Sequence, residues 1–262
     1  MAASWLNETY SQISMLTPTT RYLKKRQLLR LLDELETASD TGISVYLPPN
    51  LPADEIEKTV GVVLKQEPFL PDIAAEIARS KTGAALFWGE QRGYLVLPPF
   101  PTTEKLIVQG YDVEPLRSLM NREITIALVL VRLGAYAIGV FNNEKLLSSK
   151  VGTGLVHSRH KKGGSSQHRY ERHRDKQIES FFTRVCAHVR EKLEPYLQQV
   201  NYLFYGGESF TIRSFREQCH YLNRLDNITM ESLLNIREPK QASLEAAIEE
   251  VWSSKVIQWQ EA

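Results

Sequence analysis

Apolar and polar positions alternate along this chain in patterns that predict its elements before any chemistry is considered. Between Tyr22 and Ala38, Leu28, Leu29, Leu31, Leu32 and Leu35 recur among charged residues, a spacing that predicts an amphipathic helix. Ile43–Leu47 reads as a strand that stops at Pro48-Pro49. Asp54 is placed to cap a helix running towards Leu64, and a second short helix fits Pro71 to Ser80, with proline in its first turn. Ala84–Trp88 and Tyr94–Leu97 flank Gly89-Glu-Gln-Arg-Gly93, as the arms of a β-hairpin do. Tyr111 to Met120, with Pro115, reads as a connector or short helix, and the expected domain boundary falls there.

The second half carries a stronger sheet signal. Ile124 to Val131 is almost continuously apolar, as for a strand buried on both faces. Ala135–Phe141 and Lys145–Gly152 follow across turns at Arg132-Leu-Gly134 and Asn142-Asn143, forming a meander. Ile178, Phe181, Phe182, Val185, Val189, Leu193, Tyr196 and Leu197 then predict a long helix with one buried stripe. Val200–Tyr205 reads as a strand, Phe210–Leu222 as a helix, Met230–Ile236 as a strand and Ser243–Trp259 as a closing amphipathic helix. Strands in a row followed by alternating helices and strands imply a mixed α/β layer fold. The expected organisation is a smaller α+β domain over residues 1–119 and a mixed-sheet α/β domain over 120–262.

Composition narrows the classes. The 262 residues are 42% hydrophobic and 24% charged, ordinary for a globular chain long enough to bury a core. With 32 Lys+Arg against 31 Asp+Glu, no globally basic coat exists, so any polyanion site must be local. The two cysteines, Cys186 and Cys219, exclude a disulfide scaffold and a four-cysteine zinc site. They lie on separate predicted helices and are expected to be buried thiols in a reducing cytoplasm. The first fifteen residues show no secretory pattern, and the longest apolar run, Ile126–Val131, is far short of the roughly 20 residues a membrane span takes.

One segment breaks the scaffold pattern. From His157 to Lys176 there is no aliphatic residue and one aromatic, Tyr170. The segment holds seven cations (Arg159, Lys161, Lys162, Arg169, Arg172, Arg174 and Lys176) against Glu171 and Asp175, together with four of the six histidines. Phosphates are the natural partner of such a segment, because cations release condensed counterions from a polyanion. Arg169, Arg172 and Lys176 fall on one helical face. The cations flank Gly163-Gly164-Ser165-Ser166-Gln167, a small tip ending in an amide. No Gly-Lys-Ser/Thr follows the glycines, so this is not a phosphate-cradling P-loop. His157, His160, His168 and His173 lack partners at metal-ligand spacing, and Ser165 and Ser166 lack a nucleophile elbow. A nuclease would need clustered carboxylates, and Ile124 to Phe141 has none.

Gly154-Leu-Val-His-Ser-Arg-His-Lys-Lys-Gly-Gly-Ser-Ser-Gln-His-Arg-Tyr-Glu-Arg172 resembles the catalytic loop of archaeal and eukaryotic class-one translation release factors. There, a Gly-Leu-Val lead-in, a histidine, basic residues, Gly-Gly-Gln and an Arg-Phe-Glu-Arg-like helix start occur in this order. Here Ser165-Ser166 stands between the glycines and the glutamine. That variant is more similar to the Vms-type release-factor-like peptidyl-tRNA hydrolases of the bacterial branch, whose Gly-Gly-x-Ser-Gln-Gln-Arg-Tyr/Phe pattern Gly163, Gly164, Ser166, Gln167, Arg169 and Tyr170 match, with His168 in place of the second glutamine.

The resemblance implies a ribonuclease-H-like, release-factor middle-domain-like fold over residues 120–262. It implies hydrolysis of the ester between nascent peptide and tRNA on stalled ribosomes or large-subunit complexes, independent of a codon. The implied catalytic set is Gln167, Gly163, Gly164 and Ser166. The RNA-binding set is Arg159, His160, Lys161, Lys162, His168, Arg169, Arg172, Arg174 and Lys176. No metal and no cofactor is expected. The expected partners are the large ribosomal subunit, peptidyl-tRNA and rRNA, met by a cytoplasmic monomer without a membrane. The alternative expectation is a non-catalytic ribosome- or RNA-binding module on the same fold.

Overall fold

The computed structural model describes residues 18–38, 42–64, 69–89, 92–157 and 167–260. The chain divides into two compact units, one running up to Arg122 and resuming at Trp252, the other spanning Glu123–Val251.

The first unit is built on a six-stranded, wholly antiparallel sheet. Its order is β1 (Thr19–Leu23), β11 (Ser254–Gln260), β4 (Arg92–Leu97), β3 (Ala84–Trp88), β2 (Ile43–Leu47) and β5 (Leu106–Gln109). Helices α2 (Ala53–Leu64) and α3 (Leu70–Arg79) bury Ile56, Val60, Ile73 and Ile77 against Val45, Leu86, Leu95 and Trp259. Helices α1 (Lys25–Glu36) and α4 (Glu114–Asn121) pack together, and Arg117 of α4 bridges Asp33 and Glu36 of α1 at 3.0 and 2.8 Å.

Two expectations are corrected here. The helix predicted over Tyr22–Ala38 begins only at Lys25, because Thr19–Leu23 pairs with β11 as an edge strand. The closing helix predicted over Ser243–Trp259 ends at Val251, and Ser254–Gln260 is a strand that returns to the first unit. Trp252, Val256 and Trp259 are spaced four and three apart, which imitates a helical stripe. The adjacent β-branched pair Val256-Ile257 and the paired edge of β4 favour the extended form instead. The second unit therefore ends at Val251, not at residue 262.

The second unit has a five-stranded mixed sheet of order β10 (Thr229–Leu234), β9 (Val200–Gly207), β6 (Thr125–Arg132), β7 (Ala135–Asn142) and β8 (Lys145–Thr153). Strands β6, β7 and β8 form the antiparallel meander, and β9 and β10 add in parallel on the far side of β6. That is the strand order of the ribonuclease-H-like fold. All of Ile126–Val131 is buried, as a central strand covered on both faces requires. Asn143 (φ 53°) turns the β7–β8 hairpin, a left-handed conformation asparagine tolerates.

Helices α5 (Gln167–Leu193) and α6 (Ser209–Gln218) cover one face of this sheet, and a 3-10 segment (His220–Ile228) adds Leu222 and Leu225 to the same core. Helix α7 (Gln241–Val251) packs on β6 and β7. Gly139 of β7 admits it: a Cβ there would come within 2.7 Å of the Phe141 ring and 3.1 Å of Leu244. The cysteines also depart from expectation. Cys186 of α5 and Cys219, just after α6, form a disulfide, because the packed helices bring their Cα atoms to 5.5 Å.

Candidate active site

Helix α5 positions the predicted site. Its 27 residues span about 40 Å at 1.5 Å per residue. Phe181, Phe182, Val185, Val189 and Leu193 are buried and anchor its second half in the core. Of the described side chains from Arg169 to Ser180, none is buried. Gln167 and His168 form the start of this helix, so the anchored half holds their backbone on a continuous rod. No acidic residue lies in the first turn, where the helix dipole adds positive potential to that of the cations.

The predicted site residues divide into two groups. Arg159, His160, Lys161, Lys162, Gly163, Gly164 and Ser166 lie outside the described residues. Arg169, Arg172, Arg174 and Lys176 are brought together along the first turns of α5. Arg169, Arg172 and Lys176 are exposed, and Arg174 is half-buried. Arg174 also has a use that the sequence did not disclose. Its Nε donates to the His157 carbonyl at 3.0 Å, while the His157 N–H donates to Gln177 Oε1 at 3.2 Å. Gln177 Nε2 lies 3.3 Å from His173 Nε2. About two turns past Gln177, Arg184 donates to the Thr153 carbonyl at 3.3 Å.

These bonds fasten the chain leaving β8 to the flank of α5, with His157 held beside Arg174 and Gln177, seven and ten residues past Gln167. Gly154 permits the approach: a Cβ there would lie 2.5 Å from the Phe181 ring. Sequence reasoning missed His157, Gln177 and Arg184 as clamp residues. The sequence signal was a glycine before the basic segment together with polar side chains about two, three and five turns into the helix. Leu155 and Tyr170, 74% and 61% exposed, are large apolar side chains left at the two ends of the segment.

The chemistry available is positional. The phenols of Tyr205 and Tyr221 are pushed up to about 12 and that of Tyr46 is also raised, each chiefly by burial, so all three stay neutral near neutral pH. Among the described residues no three His, Cys, Asp or Glu converge as metal ligands. Strands β6 to β9 contain no carboxylate.

Comparison with known proteins places these features in context. Residues 124–257, just over half of the chain, match the model of a family described as Actinobacteria/chloroflexi VLRF1 release factor. Among individual relatives, peptide chain release factor subunit 1 of Aeropyrum pernix is 24% identical, with 91% of this chain and 71% of that protein aligned. The Picrophilus torridus counterpart is 21% identical over 88% of this chain and 64% of that one. The Thermococcus sibiricus counterpart is 28% identical over 52% of this chain and 36% of its own length. Of the solved structures, an archaeal translation termination factor aligns at 19% identity over 87% of this chain and 72% of its own, with a TM-score of 0.38. Archaeoglobus fulgidus Pelota aligns at 12% identity over 90% and 66%, with a TM-score of 0.30.

Proposed function

Because this chain belongs to the Actinobacteria/chloroflexi VLRF1 release factor family, we propose that it hydrolyses the ester joining a nascent peptide to tRNA, in the large-subunit catalytic centre of stalled ribosomes or large-subunit complexes. The observation that carries this reading is α5: a rod anchored by Phe181, Phe182 and Val185 that starts at Gln167 and carries Arg169, Arg172 and Lys176 exposed along its first turns.

A glutamine amide donates and accepts hydrogen bonds but cannot serve as a base near neutral pH. Gln167 therefore acts by position. Its amide orients a water beside the ester carbonyl, and backbone N–H groups at the helix start receive the developing oxyanion. The water oxygen bonds to the carbonyl carbon and the acyl–oxygen bond breaks. The peptide leaves with a new carboxyl group, and the terminal ribose hydroxyl takes the proton. Orientation alone supplies up to roughly 7–11 kcal/mol in such reactions. Gly163 and Gly164 allow close approach of backbone to RNA. Ser166 stands beside the amide, and Arg159, His160, Lys161, Lys162 and His168 join Arg169, Arg172 and Lys176 on rRNA and tRNA phosphates. Release in this reading is codon-independent.

The alternative, a binding module without catalysis, draws on Ser165-Ser166 standing between the glycines and the amide. A peptide-release assay on stalled nascent-chain complexes separates the two. Gln167→Ala is expected to lower the single-turnover release rate at least about a hundredfold, equivalent to roughly 3 kcal/mol, with ribosome co-sedimentation within about twofold of wild type. Release by Gln167→Ala at the wild-type rate ends the catalytic reading.

A further inference from the structure

We propose that β1 and the start of α1 form a second RNA-backbone contact, on the first unit. The inference does not rest on the release reading. Between Pro18 and Leu32 the chain carries Arg21, Lys24, Lys25, Arg26 and Arg30 and no carboxylate, whereas residues 33–122 hold fourteen acidic and eight basic side chains. The positive charge of this unit is thus gathered in one strand and the two helical turns after it.

The order of charges along α1 runs against its own helix dipole. Lys24 is the N-cap of α1, Lys25 and Arg26 fill its first turn, and Asp33, Glu34 and Glu36 close it. This reverses what a helix dipole favours. Its neighbours obey the rule: α2 opens with Asp54 and Glu55, α4 with Glu114, and α3 opens with Asp72 and ends with Arg79. Arg26 and Arg30 are exposed and four residues apart, so they repel one another along one face. Among the described residues neither pairs with a carboxylate. The nearby acids Asp33 and Glu36 are drawn to Arg117 instead. Lys25 is held 4.0 Å above the Trp252 ring, and Arg21 donates to the Gln258 side chain, which fixes the two ends of the patch. Arg26 and Arg30, exposed where the helix dipole disfavours them and paired with no carboxylate among the described residues, point to a partner outside the fold.

The partner's chemistry follows from what surrounds the cations. Tyr22, in the edge strand that leads into α1, is 72% exposed, a flat ring on which a base can stack. A lipid surface would ask for an apolar stripe beside the cations, and the stripe of α1 (Leu28, Leu31, Leu32 and Leu35) is buried. A phosphate backbone with accessible bases meets both features.

The test uses the full chain carrying Arg169→Ala, Arg172→Ala and Lys176→Ala, so that α5 does not mask a weaker site, with a fluorescein-labelled RNA hairpin as probe. Adding Arg26→Ala and Arg30→Ala is expected to weaken hairpin binding between tenfold and a hundredfold at about 0.1 M salt. It should also flatten log K against log salt by nearly 2, since each lost phosphate contact removes about 0.9 from the slope. The melting temperature should hold or rise, because two cations leave the first half of α1. Lys58→Ala, on the exposed face of α2, should do none of this. Hairpin affinity and slope unchanged by the Arg26 and Arg30 substitutions overturn the proposal. So does a fall in melting temperature with RNA binding intact, or a loss of binding to anionic phospholipid vesicles with RNA binding intact. The release rate of Gln167→Ala is a separate readout, so either conclusion can fail alone.

Discussion

From Arg169 to Ser180, α5 buries no side chain and carries four cations; from Phe181 to Leu193, the same helix buries five large apolar residues and is joined to the region of α6 by a disulfide. One element thus serves two purposes that conflict within a single turn. The second half is selected for the apolar surface it removes from water, at about 1.5–3 kcal/mol per large side chain. The first half would gain stability from carboxylates near its start and has none in its first turn. The anchored half supplies the rigidity that the exposed half cannot supply for itself, which is what a positioning mechanism requires.

If that division is real, substitutions in the two halves should fail in different assays. The largest effect is expected from Phe181→Ala. Phe181 is 2% exposed, its ring lies 6.2 Å from Tyr136 and 5.9 Å from Phe182, and it bears on the backbone at Gly154. Truncation should cost about 3–5 kcal/mol in denaturant unfolding, with release at low temperature reduced only by the unfolded fraction. Next is the disulfide. Cys186 and Cys219 are 33 residues apart, so the loop-entropy estimate gives about 3–4 kcal/mol for closing it. Reduction, or Cys186→Ser, should lower the melting temperature while release measured well below the transition stays at wild-type level. A variant in the buried half that slows release without melting would break the comparison.

How far sequence reading reached follows the same division. Ile126–Val131 was legible because a strand covered on both faces must be continuously apolar, and the stripe from Phe181 to Leu193 because a helix on a sheet must repeat every three to four residues. Edge and returning strands were not. Thr19–Leu23 is exposed except for Leu23, so it carries no alternation to read. Trp252, Val256 and Trp259 meet Phe100, Val96 and Gly93, 152 to 166 residues away in sequence, and their spacing imitates a helix. The disulfide was invisible because two cysteines on different helices declare nothing until the helices pack. At the candidate site, residue chemistry was legible in the cations and the Gly-Gly-Ser-Ser-Gln run. The role of Arg174 was not, since a count of charges cannot tell a strut from a phosphate contact.

The smallest expected effect tests that last distinction. Arg174 is half-buried and its Nε is spent on the His157 carbonyl, whereas Arg169 is exposed five residues nearer the helix start. A charged donor bonded to a partly exposed carbonyl is worth about 1 kcal/mol, so Arg174→Ala should shift stability little. Its effect should fall on the clamp: one of the two bonds that hold His157 to the flank of α5 would be lost. Arg174→Ala is therefore expected to lower kcat for release several-fold, leave KM near wild type and leave the salt slope of ribosome binding nearly unchanged. Arg169→Ala should show the converse, a slope reduced by about 1 and a raised KM with kcat retained. If both variants flatten the slope alike, Arg174 is one more phosphate contact, and the fastening of β8 to α5 contributes nothing to catalysis.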